Sequence, residues 1–170
     1  MNEDWQRKHF QEIMEQHRGI VFKVVRVYCH NEFDRQDLFQ EIMIQVWQSL
    51  HRYDNQYKIS TWLYRIALNV AISFYRRNAV RRAKHIQLNE EAAQIVVPGN
   101  TSQEQQLSQL EEFISELQEI DKALMLLYLE EKSHAEIAEI VGVSVSNVGT
   151  KISRIKDKLK HRLTEKMQSL

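Results

Sequence analysis

Phe10, Met14, His17, Val21, Val24 and Tyr28 follow one another in steps of four or three. That spacing puts them on one face of a helix expected over residues 5–29. Asn31 to Asp34 interrupt the pattern, and a second helix is expected from Asp34, whose carboxylate suits an N-cap. Its apolar stripe is Leu38, Phe39, Ile42, Met43, Val46, Trp47 and Leu50, and its other face carries Asp37, Gln40, Glu41, Gln45 and Gln48. After a polar loop at 51–59, Ser60 is the expected cap of a third helix. There Leu63, Ile66, Ala67, Val70 and Phe74 face a core, and Arg65, Asn69, Ser73 and Arg76 line the opposite side. Three helices of this length can bury one core.

Periodicity fades over residues 85–106, which hold the single proline, Pro98, followed by Gly99, Asn100, Thr101 and Ser102. This reads as a linker, with room for a short helix at its end. Helices resume near 107–117, 121–130, 133–141 and 145–166, the last burying Val148, Ile152, Ile155, Leu159 and Leu163. The expected fold class is all-α: two small helical domains, residues 1–84 and 107–170, joined by a flexible linker at 85–106.

Composition agrees: four Gly and one Pro in 170 residues favour helices over sheet. Cys29 is the only cysteine, so a disulfide framework and a thiolate metal cluster are excluded. The charged N-terminal sequence has no apolar signal core, and no apolar run approaches the ~20 residues that span a bilayer. A cytoplasmic chain without membrane insertion is expected.

The net charge is zero, but its distribution is uneven. Residues 74–88 carry five basic side chains and no acid, and residues 145–170 carry seven against two acids. Residues 113–144 carry seven acids against two lysines. Two basic blocks, each ending a helical unit, suit two DNA contacts. The opposite charges of 113–144 and 74–88 also allow the free chain to close on itself.

From Ser133 to Leu159 the chain reads as a helix, a turn at Gly142-Val143-Ser144, and a basic second helix, which is the pattern of a helix-turn-helix. Ala138 lets the helices approach, Gly142 supplies the left-handed turn, and Ser144 is the expected N-cap. The exposed residues near the start of the second helix are Ser146, Asn147, Gly149, Thr150, Lys151, Ser153 and Arg154. Arg154 suits a bidentate guanine contact, and Asn147 or Thr150 a base edge or phosphate.

The third helix interleaves aromatics with arginines. Tyr53, Tyr57, Trp62, Tyr64 and Tyr75 with Arg65, Arg76 and Arg77 suit single-stranded DNA, where bases stack on rings and cations hold the backbone. Packing in the core is the competing reading for Trp62 and Tyr64. Asn69, on a polar face, can read an extruded base or simply be solvated. The face with Asp37, Gln40, Glu41 and Gln45 suits the helix dipole or a basic protein partner equally.

Catalysis finds no support: there is no H-E-x-x-H, no glycine-rich phosphate loop and no G-x-S-x-G. Cys29 and His30 are adjacent, and His9 and Glu12 share a face without a third ligand, so no metal or cofactor is expected.

D-L-F-Q-E-I at Asp37 to Ile42, T-W-L-Y-R-I-A-L-N at Thr61 to Asn69 with Arg76-Arg77, and E-I-A-E-I-V-G-V-S at Glu136 to Ser144 come in one order. Together they resemble the extracytoplasmic-function branch of bacterial sigma factors. The resemblance implies a non-enzymatic transcription initiation factor built from sigma region 2 and sigma region 4. Such a factor binds core RNA polymerase, directs it to promoters through −10 and −35 elements, and helps open DNA. It implies docking on the clamp coiled coil of the largest catalytic subunit through Asp37, Leu38, Gln40, Glu41 and Trp47. It implies −10 contacts from Tyr57, Trp62, Arg65, Asn69, Arg76 and Arg77, with the loop before Ser60 capturing an extruded base. It implies −35 contacts from Asn147, Gly149, Thr150, Lys151, Ser153 and Arg154, Gly149 standing where the family often has a basic residue. An anti-sigma factor is a further possible partner. Two DNA elements two helical turns apart lie ~70 Å from centre to centre, which a linker of about twenty residues can span. A self-sufficient dimeric DNA-binding regulator is the alternative.

Overall fold

The computed structural model describes residues 3–88 and 102–168, and those residues form helices and connecting turns without a strand among them. In chain order these are α1 (Glu3–Tyr28), α2 (Glu32–Ser49), a 3-10 turn at Leu50–Arg52, α3 (Ile59–Arg77) and α4 (Ala79–Leu88). After the gap come α5 (Ser102–Glu116), α6 (Glu119–Leu129), α7 (His134–Val141) and α8 (Val145–Gln168).

Helices α1, α2 and α3 pack against one another. Val21 and Val24 from α1, Leu38, Ile42 and Val46 from α2, and Leu63 and Ala67 from α3 have no exposed surface at all. Each set repeats at helical spacing, so one stripe per helix meets at a shared centre. Hydrophobic transfer of such side chains, at about 1.5–3 kcal/mol each, is the main force holding the bundle.

Several local expectations change. The cap of α2 is Asn31, not Asp34: the Asn31 side chain accepts from the Asp34 N–H at 2.8 Å, and its amide donates to the Asp34 carboxylate at 2.7 Å. Asp34 sits one turn in, where a carboxylate still complements the helix dipole. Ser60 does not cap α3 either, because the helix starts at Ile59 behind Lys58, without a side-chain cap. The basic block after Asn78 forms the separate helix α4. The centre of the expected linker lies outside the described residues, while helix extends into both of its ends, to Leu88 and from Ser102.

In the second group α6 is buried over every residue from Lys122 to Leu127. A helix buried all round must be covered on several sides, and α6 contacts α5, α7 and α8 on its own side and α1 and α3 across from it. One apolar cluster therefore runs from Val21, Leu38 and Leu63 through to Leu124, Ile137 and Val148. A smaller cluster of Phe113, Leu117, Met125 and Ile155 ties α5 to α6 and α8. The two helical groups meet face to face, which follows from their opposite charges and from the apolar surface of α6.

Candidate functional site

The helix-turn-helix is built from local chemistry. Ser133 and Glu136 form a reciprocal capping box at the start of α7, with the Ser133 N–H donating to the Glu136 carboxylate at 2.8 Å and the Glu136 N–H donating to Ser133 Oγ at 3.2 Å. The Ser133 backbone N–H first, and the Ser133 side chain after it, hold the Glu136 carboxyl below its ordinary value. Gly142 closes α7 at φ +80°, a left-handed conformation that glycine adopts without a Cβ clash. Its N–H donates to the Ala138 carbonyl at 2.9 Å. Ser144 then caps α8, its hydroxyl accepting from the Asn147 N–H at 3.1 Å. Val148, Ile152 and Ile155 are buried, so the opposite side of α8 faces outward.

On that outward side Asn147, Thr150, Ser153 and Arg154 are exposed. The Thr150 hydroxyl donates to the Ser146 carbonyl at 3.0 Å and keeps its acceptor lone pairs free. Two residues expected beside them sit elsewhere. Lys151 pairs with Asp121 of α6 at 3.3 Å, so the neighbouring acid engages its charge. Gly149 is half-buried under His134, whose Nδ1 would lie 3.5 Å from a Cβ added there. Its Cα–H side faces the first helix of the motif.

The loop before α3 is an aromatic cluster. Tyr53 and Trp62 rings lie 5.0 Å apart, the Tyr53 hydroxyl donates to the Tyr57 carbonyl at 2.8 Å, and Arg65 sits 5.1 Å over the Tyr57 ring. Asn55 holds φ +61°, which asparagine tolerates better than most residues, and the Gln56 N–H donates to Asp54 across a short turn. Trp62, Tyr57 and Arg65 are half-exposed and Asn69 is exposed. Arg76 pairs with Glu119 at 2.9 Å and Arg77 with Glu41 at 2.6 Å, both as exposed guanidinium groups.

Tyr64 behaves differently from its sequence neighbours. It is 2% exposed, its hydroxyl donates to Glu130 at 3.4 Å, and Lys132 lies 5.9 Å over its ring. Core packing is the reading that holds for it. Tyr28, also buried, donates to the Glu119 carbonyl at 2.5 Å. Burial pushes both phenols up, and the carboxylates of Glu119 beside Tyr28 and Glu130 beside Tyr64 push them further.

On α2, Gln40 and Gln45 are exposed, and Asp37 and Glu41 are half-exposed. Leu38 has no exposed surface, which rules its side chain out as a docking contact; it holds the helix to the core. Trp47 is half-buried edge-on against Phe10 at 5.3 Å. Ile44, which the sequence reading passed over, is 56% exposed on the Asp37–Glu41 side. Its signal was present: spaced three from Glu41 and seven from Asp37, it falls on the polar face rather than the apolar stripe. Among the described residues no three His, Cys, Asp or Glu side chains converge as metal ligands, and no helix is long and apolar enough to cross a membrane.

Comparison with known proteins agrees with both modules. Residues 13–81 match the family model Sigma-70 region 2, and residues 107–159 match Sigma-70, region 4. RNA polymerase sigma factor YlaC of Bacillus subtilis is 31% identical over 170 residues, covering 96% of this chain and 92% of that one. The ECF RNA polymerase sigma factor SigW of the same organism is 28% identical, covering 92% and 89%. The solved structure of CnrH in complex with the cytosolic domain of CnrY superposes with a TM-score of 0.67 at 20% identity, covering 94% of this chain and 90% of that one. The sigma factor RpoE of Bartonella quintana, solved with the anti-sigma factor NepR, gives 0.62 at 17% identity, covering 91% and 95%. These last two show the fold. The helix-turn-helix of α7 and α8 with its exposed polar side, the match to both sigma regions and the chain-long likeness to YlaC converge: this chain belongs to the extracytoplasmic-function RNA polymerase sigma factors, non-catalytic transcription initiation factors that recognise promoters.

Proposed function

We propose that residues 1–84 act as the polymerase- and −10-binding domain and residues 107–170 as the −35-binding domain, with 85–106 between them. The polar side of α2 docks on the clamp coiled coil of the largest polymerase subunit through Asp37, Gln40, Glu41 and the exposed Ile44, with Trp47 at its edge. Asn69 and the Tyr57–Trp62–Arg65 cluster take the extruded −10 base and the single strand, and Arg76 and Arg77 hold phosphates. Asn147, Thr150, Ser153 and Arg154 read the −35 major groove. The carrying observation is the exposure of those four polar residues along one side of α8, above a buried apolar stripe. The chain works in the cytoplasm, where polymerase and promoters are. The RpoE structure includes an anti-sigma factor, and a partner of that kind suits this chain as well.

Run-off transcription with core polymerase and this chain, followed by mapping of 5′ ends, is the direct test. Discrete start sites that need both components, preceded by a shared pair of elements about two helical turns apart, are expected. A palindromic footprint made without polymerase, and no start sites with it, would replace this reading with that of a dimeric regulator.

A further inference from the structure

We propose that the chain carries a binding site for a small organic phosphate, in the cleft lined by the last turns of α1, the start of α2, and helices α5 and α6. None of the cleft's residues is among those assigned above to polymerase or promoter, so the inference stands apart from that reading.

The cleft has a volume of about 270 Å³. That is just under the usual range for small-molecule pockets, so it fits a compact ligand. Its floor is apolar: Leu126 is buried, and Val27 and Ile114 are half-buried. Its walls carry Lys23, Arg26 and Arg35 against a single carboxylate, Glu111. A ligand that sets an apolar body on the floor and an anion against the wall is complementary to both.

Arg35 is the anchor. Its Nε donates to the Cys29 carbonyl at 3.1 Å. That bond fixes the guanidinium, and it covers a carbonyl at the end of α1, where a helix otherwise repels anions. Among the described residues the two Nη groups of Arg35 meet no acceptor. A half-buried guanidinium with a free, pre-oriented fork is the group that holds a phosphate through paired hydrogen bonds. Arg26 is the second hook. It lies 3.6 Å from Glu111, longer than a hydrogen bond, and the two side chains are 70% and 73% exposed. Such a pair is weak in water, so an arriving dianion displaces Glu111. Lys23 is already held by Glu130 at 2.6 Å and adds field more than contact. A phosphate monoester, with close to two charges and three terminal oxygens, has enough acceptors for both arginines at once. By its position the cleft is an effector site, since a ligand there leaves the polar sides of α2 and α8 uncovered.

The test is isothermal titration of the full chain with phenyl phosphate, alongside inorganic phosphate and phenol as its two halves. Phenyl phosphate should bind once per chain and at least about tenfold tighter than inorganic phosphate, because the ring covers the apolar floor. Arg35→Gln should weaken binding by about tenfold or more, the scale of charged hydrogen bonds lost, and Arg35→Lys should recover little, since it returns the charge without the fork. Arg26→Gln should weaken binding as well. Glu111→Gln should tighten it by up to about fivefold, because it removes the competing carboxylate. Thermal melting of each variant separates lost binding from lost fold. If Arg35→Gln does not fold, the opposite signs at the exposed Arg26 and Glu111 decide. No saturable binding at millimolar phenyl phosphate, equal affinity for phenyl phosphate and inorganic phosphate, or wild-type affinity in the folded arginine variants would each overturn the site. Displacement of phenyl phosphate by a short DNA duplex without terminal phosphates would overturn it too, and would make the cleft a DNA-backbone contact.

Discussion

Arg154 lies one turn beyond Thr150, exposed and clear of the buried Val148, Ile152 and Ile155. Arg154→Ala should cost about 1–3 kcal/mol in −35 discrimination, the scale of one bidentate base contact, read from competition between the cognate and a mismatched element. Loss of affinity equal for all sequences would make it a phosphate contact. At Gly149 an added Cβ meets His134 only at ordinary contact distance. Gly149→Ala should therefore fit and raise stability by up to ~1 kcal/mol through helix propensity, measured by thermal melting, with promoter use intact. Lost promoter use in the folded variant would show that DNA approaches that backbone. Glu136 supplies a pH signature. Its carboxyl is held below the ordinary value by the Ser133 bonds, so its contribution is present above the unfolded-state pKa and fades as pH falls through the folded one. Glu136→Gln should flatten the acid limb of stability against pH, and an unchanged limb would argue that the cap is loose in solution.

Among the elements, α2 carries the sharpest division of labour. One side is pinned by Leu38, Ile42 and Val46, and the other offers Asp37, Gln40, Glu41 and Ile44. Reversing charge with Asp37→Arg and Glu41→Arg together should weaken assembly with core polymerase in a titration. Folding should change little, since exposed substitutions usually cost under ~0.5 kcal/mol. Glu41 also pairs with Arg77, so a melting-temperature control separates a lost ion pair from a lost docking contact. Unaltered core affinity would move the docking surface off this helix. Helix α6 teaches the complementary lesson. Its run Ala123 to Leu127 is apolar on every side, a pattern that marks a helix without saying what covers it.

At the scale of the whole molecule, the cluster shared by both modules couples their stabilities. Tyr28 bridges them, and burial with the nearby Glu119 raises its phenol above the ordinary 10.0. Its sign is the reverse of Glu136: the neutral form is favoured in the fold, so stability is complete below pH 10 and declines as pH rises above it. Tyr28→Phe should cost about 0.5–1.5 kcal/mol at neutral pH through the lost hydrogen bond, and should make the alkaline decline shallower. Chemical denaturation across pH 7 to 11 checks both, and a parallel decline in the two proteins would place the alkaline sensitivity elsewhere.

What the sequence determined by itself was local. Helical spacing located seven of the eight α-helices among the described residues, because a stripe repeating every three to four residues needs only its own chain to be recognised. The turn at Gly142 and the Ser144 cap were legible for the same reason, since each is satisfied by backbone within a few residues. The exposed polar side of α8 followed in outline, as exposed positions are the complement of a buried stripe. The cap of α2 was misplaced by three residues because Asn31 and Asp34 offer equivalent oxygens, and only backbone geometry chooses between them. Other features needed the tertiary structure. Tyr64 is buried while Trp62 is half-exposed, although both are aromatic residues in one motif, because a second module covers one side of α3. Lys151 and Gly149 are half-buried because Asp121 and His134 lie beside them in space and not in sequence. The buried ammonium of Lys122 is the extreme case, since its acceptors lie seven and eight residues away and its aromatic partner on another module. Periodicity records which side of a helix avoids water, but the identity of the group that displaces the water is a long-range fact that only folding supplies.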